Sequence, residues 1–311
     1  MNSTELGTVL ITGPTGGLGK AATLAIAHRP AGQRPDLLLI GRAGKGLTEV
    51  AEAARAAGAT VQEIGCDLAR LSEVRDAAHT VKDLLEAGAI RPLRAIVANA
   101  GVSVADTHSA SADGYELTFA VNYLAHAQLI GDLLGSLIAP ARIVLLGSNT
   151  YHQNFFRRIL KVAPAIWRDP LDVAHPTAAD QPATLELGGI AYSNSKLAIL
   201  YYAHELQRRT PSGISVAVFE PGFMPGTGLS RGHGPGLQRV GRVIERIPGV
   251  SSPAGSAPVL ASIALDDCWG HLRGGAFVVK DQEREVKEFA SDLARESRLW
   301  DATVELLESA R

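Results

Sequence analysis

Tyr192 and Lys196 stand four residues apart in Tyr192-Ser193-Asn194-Ser195-Lys196, within a stretch that reads as helix. Residues at i and i+4 share one helical face, so a phenol and an ammonium here can address one ligand. A phenol with an ordinary pKa of about 10 exchanges protons poorly at neutral pH; bringing it near 7 takes about 4 kcal/mol of differential stabilisation. One ammonium and a cationic cofactor ring in a partly dry site would supply that. The pentapeptide alone is equally the solvated face of an ordinary helix, so the reading depends on its surroundings.

The elements that would position such a pair can be followed from the N-terminus. Thr8–Thr12 is an apolar run of strand length, Gly13-Pro14-Thr15-Gly16-Gly17-Leu18-Gly19 follows it, and Lys20–Ala27 has helical character. A glycine turn between strand and helix lets the backbone approach a pyrophosphate, whose charge the first N–H groups of the helix offset. Gly13, Thr15, Gly17, Leu18 and Gly19 are the candidate contacts. A second strand, Asp36–Ile40, ends in Gly41-Arg42-Ala43-Gly44-Lys45. An acid at that point would bond a ribose 2′-hydroxyl and repel a 2′-phosphate, whereas Arg42 and Lys45 offer a planar fork and a point charge and so favour NADP over NAD. The competing reading of Arg42 is a solvated loop cation.

A helix over about Gly46–Ala57 returns to a strand at Thr60–Ile64, after which Asp67 and Leu68 stand where an adenine would be bound. A helix near Ser72–Glu86 leads to the strand Arg94–Ala98 and then Asn99-Ala100-Gly101. The helix expected from about Asp113 to Leu137 carries Asn122 on a face that otherwise reads as core, where an amide is either structural or holds a water. The strand Arg142–Leu146 delivers Ser148, by itself a turn residue, and Ile214–Phe219 delivers Pro221 and Gly222. One strand followed by one helix, repeated, is the rhythm of a doubly wound parallel α/β sheet, whose ligands lie beyond the carboxyl ends of its strands. Each candidate placed so far on this side of the sheet falls at such an end.

Bulk properties narrow the choice. The chain has 311 residues, 46% hydrophobic and 20% charged, enough for one well-cored domain. With 30 basic and 32 acidic residues the formal net charge is −2, which argues against general electrostatic capture of nucleic acid. Cys66 and Cys268 are too few for a disulfide framework and too far apart for a metal motif, so a reducing cytoplasm and no metal are expected. Met1–Thr8 has Glu5 and no basic stretch before Val9-Leu10-Ile11, so neither a signal peptide nor a membrane span is expected there.

Taken together, these motifs resemble the short-chain dehydrogenase/reductases. Thr12–Gly19 is similar to their TGxxxGxG cofactor loop and Asn99-Ala100-Gly101 to their NAG motif. Asn122, Ser148, Tyr192 and Lys196 match their catalytic tetrad in order, and Pro221-Gly222 matches the PG motif beside the nicotinamide. The resemblance covers about residues 8 to 280 and implies a single Rossmann-like NADP-binding domain over 1–311. It also implies roles: Tyr192 donates a proton to a developing alkoxide, Ser148 hydrogen-bonds the same oxygen, Lys196 binds the nicotinamide ribose and lowers the Tyr192 pKa, and Asn122 holds a water on the proton-relay path. Val121–His126 and Pro221–Leu229 are similar to the branch of retinol dehydrogenases and protochlorophyllide reductases. The chain departs from the latter in having Phe223 where they carry a cysteine and an unaltered Asn99-Ala100-Gly101. The usual family threonine after the PG motif falls at Gly226, leaving Thr227, one place on, as the candidate carboxamide contact.

Two regions carry no family motif. Tyr192 follows Ser148 by 44 residues (192 − 148), and in the insert between them, about 149–189, apolar residues 155, 156, 159, 160, 163, 166 and 167 recur at helical spacing with Arg157, Arg158 and Lys161 interspersed. Three readings stand: a lid over an apolar substrate, a peripheral contact with a membrane, and simple packing, with Pro164 ending the helix early. The second region is a glycine-rich substrate loop, about 223–250, with Arg231, Arg239 and Arg242. The charged helix expected over Glu283–Leu307 reads as packing or as subunit contact in a homo-oligomer. The expected function is NADP-dependent hydride transfer between nicotinamide and the carbonyl or alcohol carbon of an apolar small molecule. The alternatives are reduction of a carbon–carbon double bond and a cofactor-sensing protein that catalyses nothing.

Overall fold

The structure, a computed structural model, describes residues 6–154, 157–158, 162–224 and 251–310. Eight strands form one sheet: β1 (Thr8–Thr12), β2 (Asp36–Gly41), β3 (Val61–Gly65), β4 (Leu93–Ala98), β5 (Leu137–Leu146), β6 (Ile214–Glu220), β7 (Ala276–Val279) and β8 (Gln282–Arg284). Their order is β3-β2-β1-β4-β5-β6-β7-β8, with parallel pairing throughout except for the antiparallel β7–β8 hairpin. The reversal of direction between β1 and β4 is the switch point at which a doubly wound sheet opens a crevice for a ligand.

Alternation of side chains along buried strands builds two cores. Val9, Ile11, Leu37 and Leu39 point to one face and pack with Leu18, Ile26, Val50 and Ile263 of α1 (Gly17–Ala27), α2 (Lys45–Ala56) and α6 (Pro253–Leu265). Leu10, Leu38 and Ile40 point to the other and meet α3 (Leu71–Glu86), α4 (residues 117–133) and α5 (Leu185–Arg209) through Val74, Phe119 and Leu200. Every residue of β1 is buried, as a central parallel strand covered on both sides requires.

Helix α4 starts later than the sequence suggests. Residues near Asp113 form a turn, with Ala110 bridged to Glu116, and the Glu116 carboxylate accepts the N–H groups of Thr118 and Phe119 to open the helix at Leu117–Phe119. The helix widens into a π-turn over Ala120–Leu124 and resumes over Ala125–Leu133. Leu137, expected at its end, opens β5 instead, five residues before the predicted strand.

The last helix also shifts. Glu283 pairs with Val278 in the hairpin, and α7 (Leu293–Ser309) begins only after it, where Asp292 accepts the Arg295 N–H at 3.0 Å. A turn at Lys280, whose φ is +56°, sends the charged run back along the sheet edge before a helix can form. α7 packs on α5 and α4: Leu299 and Leu306 are buried, Trp300 stacks on Tyr202 with ring centres 5.7 Å apart, and Tyr115 donates to Leu306 O at 2.6 Å.

In the insert, Arg157 and Arg158 are helical, with Asn154 Oδ1 accepting the Arg157 N–H at 2.8 Å, but residues 162–169 are not. Pro164 lacks a donor and forces its neighbour extended, which accounts for the absence of helix over 162–169. Trp167 lies edge-on 5.1 Å from Tyr201 of α5, and Ala165 N donates to Tyr151 O at 3.3 Å. Phe155, Phe156, Ile159, Leu160 and Lys161 lie outside the described residues. No described helix is long and apolar enough to cross a membrane.

Candidate active site

The turn after β1 is built for close approach. Gly13 has a φ of +64°, and a Cβ on it would lie 2.9 Å from Ala100; one on Gly19 would lie 2.2 Å from Gly13 O and 2.4 Å from Asn99 Nδ2. α1 opens at Gly17, φ +52°, behind Gly16, and no side chain caps its first amides. Uncapped N–H groups at a helix start facing a glycine turn suit a pyrophosphate. Leu18 is buried, and a Cβ on Gly46 at the start of α2 would lie 3.8 Å from Thr15 Cβ.

Asn99 works on the same turn. Its Nδ2 donates to Thr12 O at 2.9 Å and Gly13 O at 3.2 Å, while Thr12 Oγ1 accepts the N–H groups of Asn99 and Ala100, both at 3.0 Å. Gly101 continues the same loop at the carboxyl end of β4. Thus the second motif fixes the shape of the first.

Helix α5 carries Tyr192 and Lys196 beside the end of β5. The Tyr192 phenol lies near enough to Ser148 for that side chain to act on its pKa; Ser148 follows β5 by two residues and accepts the Thr150 N–H at 3.3 Å. Lys196 Nζ donates to Leu146 O at 2.7 Å and stands 5.5 Å from the centre of the Tyr192 ring. Asn122, 1% exposed, sits in the π-turn. Its Oδ1 accepts Val102 N–H at 2.7 Å, and Nδ2 donates to Val102 O and Ser195 Oγ, both at 3.0 Å. Both amide hydrogens are therefore used within the protein.

Burial dominates the electrostatics. It pushes the Tyr192 phenol up to about 12, with the Ser148 side chain opposing the rise and the Glu220 carboxylate adding to it. Burial brings the Lys196 ammonium down to about 7. Within the protein alone burial outweighs the neighbouring ammonium, which points at a carbonyl; the expected depression of the Tyr192 pKa calls for a cationic cofactor ring beside the lysine.

The remaining predicted contacts ring the same edge. Pro221 and Gly222 follow β6; Gly222 has a φ of +90°, and a Cβ there would meet Ser251 Oγ at 2.1 Å. Arg42 is exposed just past β2, and Lys45, 89% exposed, lies 3.5 Å from Glu49. Asp67 Oδ1 accepts the Ala69 N–H at 3.1 Å, which shapes the turn after β3, with Leu68 buried beside it. Thr227 and the arginines of the substrate loop lie outside the described residues.

Two residues escaped the sequence reading. Glu220, 6% exposed, accepts from Asn149 Nδ2 at 3.1 Å and from the Gly222 N–H, and its pKa is raised by burial. An acid closing an otherwise apolar strand directly before Pro-Gly was the available signal. His126, 2% exposed, contacts Thr12 Oγ1 through Nε2 at 2.9 Å and Asn122 O through Nδ1 at 3.0 Å. Its position one helical turn after Asn122 was the signal there.

Comparisons with known proteins agree with this architecture. Residues 7–160 match the family described as short chain dehydrogenase. Protochlorophyllide reductase A, chloroplastic, of Oryza sativa subsp. japonica is 29% identical over 326 residues, covering 97% of this chain and 80% of that one. Short-chain dehydrogenase iccH of Talaromyces variabilis is 29% identical over 264 residues, covering 71% and 70% respectively. A solved structure of a short chain dehydrogenase from Burkholderia cenocepacia J2315 in complex with NADP shares the fold, with a TM-score of 0.62 and 22% identity over 90% of this chain and 98% of that one.

Proposed function

The chain belongs to the short-chain dehydrogenase family and is a nicotinamide-dependent oxidoreductase, and on that premise we propose that it uses NADP to exchange hydride with the carbonyl or alcohol carbon of an apolar small molecule. The observation that carries the reading is the placement of Tyr192 and Lys196 on one face of α5, beside Ser148 at the end of β5. When bound, the nicotinamide supplies or takes the hydride.

The protein's part is to hold charge and protons. Hydride arriving at a carbonyl carbon leaves negative charge on oxygen, and two hydroxyl donors fixed before the reaction stabilise it. Tyr192 gives the proton and Ser148 a hydrogen bond to the same oxygen. At a phenol pKa of about 12 the proton is present at neutral pH, which suits the reducing direction. In the oxidising direction, a positive charge beside the ring has to bring the phenol down. Arg42, exposed after β2 at the start of α2, supports recognition of a 2′-phosphate, because a guanidinium fork matches phosphate oxygens.

Reduction of a carbon–carbon double bond is the second reading, favoured by the rice protochlorophyllide reductase whose alignment spans 97% of this chain. Loss of NADPH absorbance with aldehydes and ketones, but not with activated alkenes, supports the first reading. The reverse pattern supports the second, and loss with neither removes both.

A further inference from the structure

We infer that His126 is a positioning residue of this active site, holding the Asn122 main-chain carbonyl with its Nδ1–H while Thr12 holds its Nε2, so that the cofactor-side strand and the catalytic helix are set against each other through one ring. The inference rests on the reading above for its importance, though not for its geometry.

The partners assign the proton. Thr12 Oγ1 already accepts the N–H groups of Asn99 and Ala100, both at 3.0 Å. A hydroxyl has two lone pairs and one hydrogen, so with both pairs occupied its hydrogen goes to His126 Nε2, 2.9 Å away. A neutral imidazole that accepts at Nε2 carries its proton on Nδ1, which therefore donates to Asn122 O at 3.0 Å. Burial keeps the ring neutral, pulling its pKa down to about 4, and the Lys196 ammonium acts in the same direction.

The bonds continue toward the chemistry. Asn122 Nδ2 donates to Ser195 Oγ at 3.0 Å, and Ser195 Oγ donates to Tyr192 O at 2.7 Å. An unbroken path thus runs from Thr12, at the mouth of the glycine turn, through His126 and the π-turn to the backbone of the proton donor. A widened helical turn is conformationally soft, and the ring fixes it from outside its own ladder. An apolar side chain of similar size would fill the space and leave a buried carbonyl and hydroxyl short of partners.

The test compares His126→Leu, His126→Asn and His126→Gln in the full chain, with NADPH as the binding probe and the reducible compound found in the screen as substrate. In Leu the kcat is expected to fall about 10- to 100-fold with the NADPH Kd within about threefold, since misplacing the catalytic groups costs turnover more than cofactor affinity. Asparagine puts an amide N–H where Nδ1 stands and is expected to recover most of the kcat; glutamine, which reaches only Thr12, is not. Unchanged turnover in Leu, equal recovery by Asn and Gln, or a Kd that rises in step with the loss of kcat overturns the inference. Should Leu fail to fold, the ring 15N shifts of the parent decide, with an Nδ1–H tautomer expected and an Nε2–H or charged ring overturning it. A parent that reduces no carbonyl or alkene compound defeats the proposed function instead. The tautomer, and NADPH-dependent amide protection at residues 120–126 that is lost in Leu, still judge the role of His126.

Discussion

Lys196 Nζ stands 5.5 Å from the centre of the Tyr192 ring and gives its hydrogen bond to the Leu146 carbonyl at 2.7 Å. The two groups share a face without direct contact, and the end of strand β5 comes between the cation and the role of neutralising a phenolate. Burial then acts on both groups against their charged forms, lifting the phenol to about 12 and lowering the ammonium to about 7. A site in this condition favours a protonated donor and waits on charge delivered with the ligand.

Tyr192→Phe removes that donor while keeping the ring. The kcat is expected to fall by about 10² or more, as for the loss of a general acid, with the NADPH Kd little changed. Steady-state kinetics and cofactor titration check it; near-full turnover on every substrate would put the proton donor elsewhere.

Lys196→Met is expected to stabilise the fold in a pH-dependent way while destroying function. The folded pKa of about 7 lies below the ordinary 10.5, so the unfolded chain binds the proton more readily between those values. The penalty is therefore complete below pH 7 and fades as pH rises toward 10.5. The advantage of the methionine variant over the parent should shrink by about 2 to 3 kcal/mol between pH 6 and pH 9. Denaturant unfolding at both pH values measures it, and a constant difference would mean that the lysine is not buried as a charge.

Glu220→Gln keeps the hydrogen-bonding shape beside Asn149 and removes a charge that raises the Tyr192 pKa. With less negative charge nearby the phenol deprotonates more easily. The limb of the alcohol-oxidation pH profile that reports it should move down by about 0.5 to 1 pH unit. An upward shift would contradict the electrostatic assignment.

The parallel sheet and the glycine turns at its strand ends were legible because each is a local pattern: apolar runs of strand length, glycines at turns, and helices between. The start of α4 was not, since Glu116 caps it through its own carboxylate and the residues before it pair as a bridge, a choice made by tertiary contacts. The start of α7 was missed because Glu283–Arg284, charged and helix-compatible, is recruited by β7 at the sheet edge. Within the site the spacing of Tyr192 and Lys196 predicted a shared face correctly, but spacing carries no information on the Leu146 carbonyl that takes the lysine's proton bond. His126 and Glu220 each looked like one polar residue in an apolar segment, and only their partners, Thr12, Asn122 and Asn149, give them a role.

Arg42→Asp tests cofactor choice. Losing a charge-assisted contact and gaining a repulsion should weaken NADPH binding roughly 10- to 100-fold and leave NADH much less affected. Competitive titration of both cofactors measures it. Equal Kd values for NADPH and NADH in the parent would remove Arg42 from that role.

Trp167 separates packing from closure in the insert. Its ring meets Tyr201 edge-on at 5.1 Å and packs against the core beneath α5, on the same stretch where residues 162–169 run without helix. A half-buried tryptophan anchored in this way contributes area and an aromatic contact to the fold, so Trp167→Ala should cost about 2 kcal/mol of stability. If anchoring is its whole role, KM for small and bulky carbonyl compounds should rise little and by the same factor. If the insert closes over substrate, the loss of the anchor loosens it, and KM should climb for bulky apolar compounds while small ones are spared. Measuring Tm beside the two KM values keeps the cases apart: a lower Tm with uniform KM assigns Trp167 to packing. An unchanged Tm would mean that the contact with Tyr201 does not hold the insert to α5.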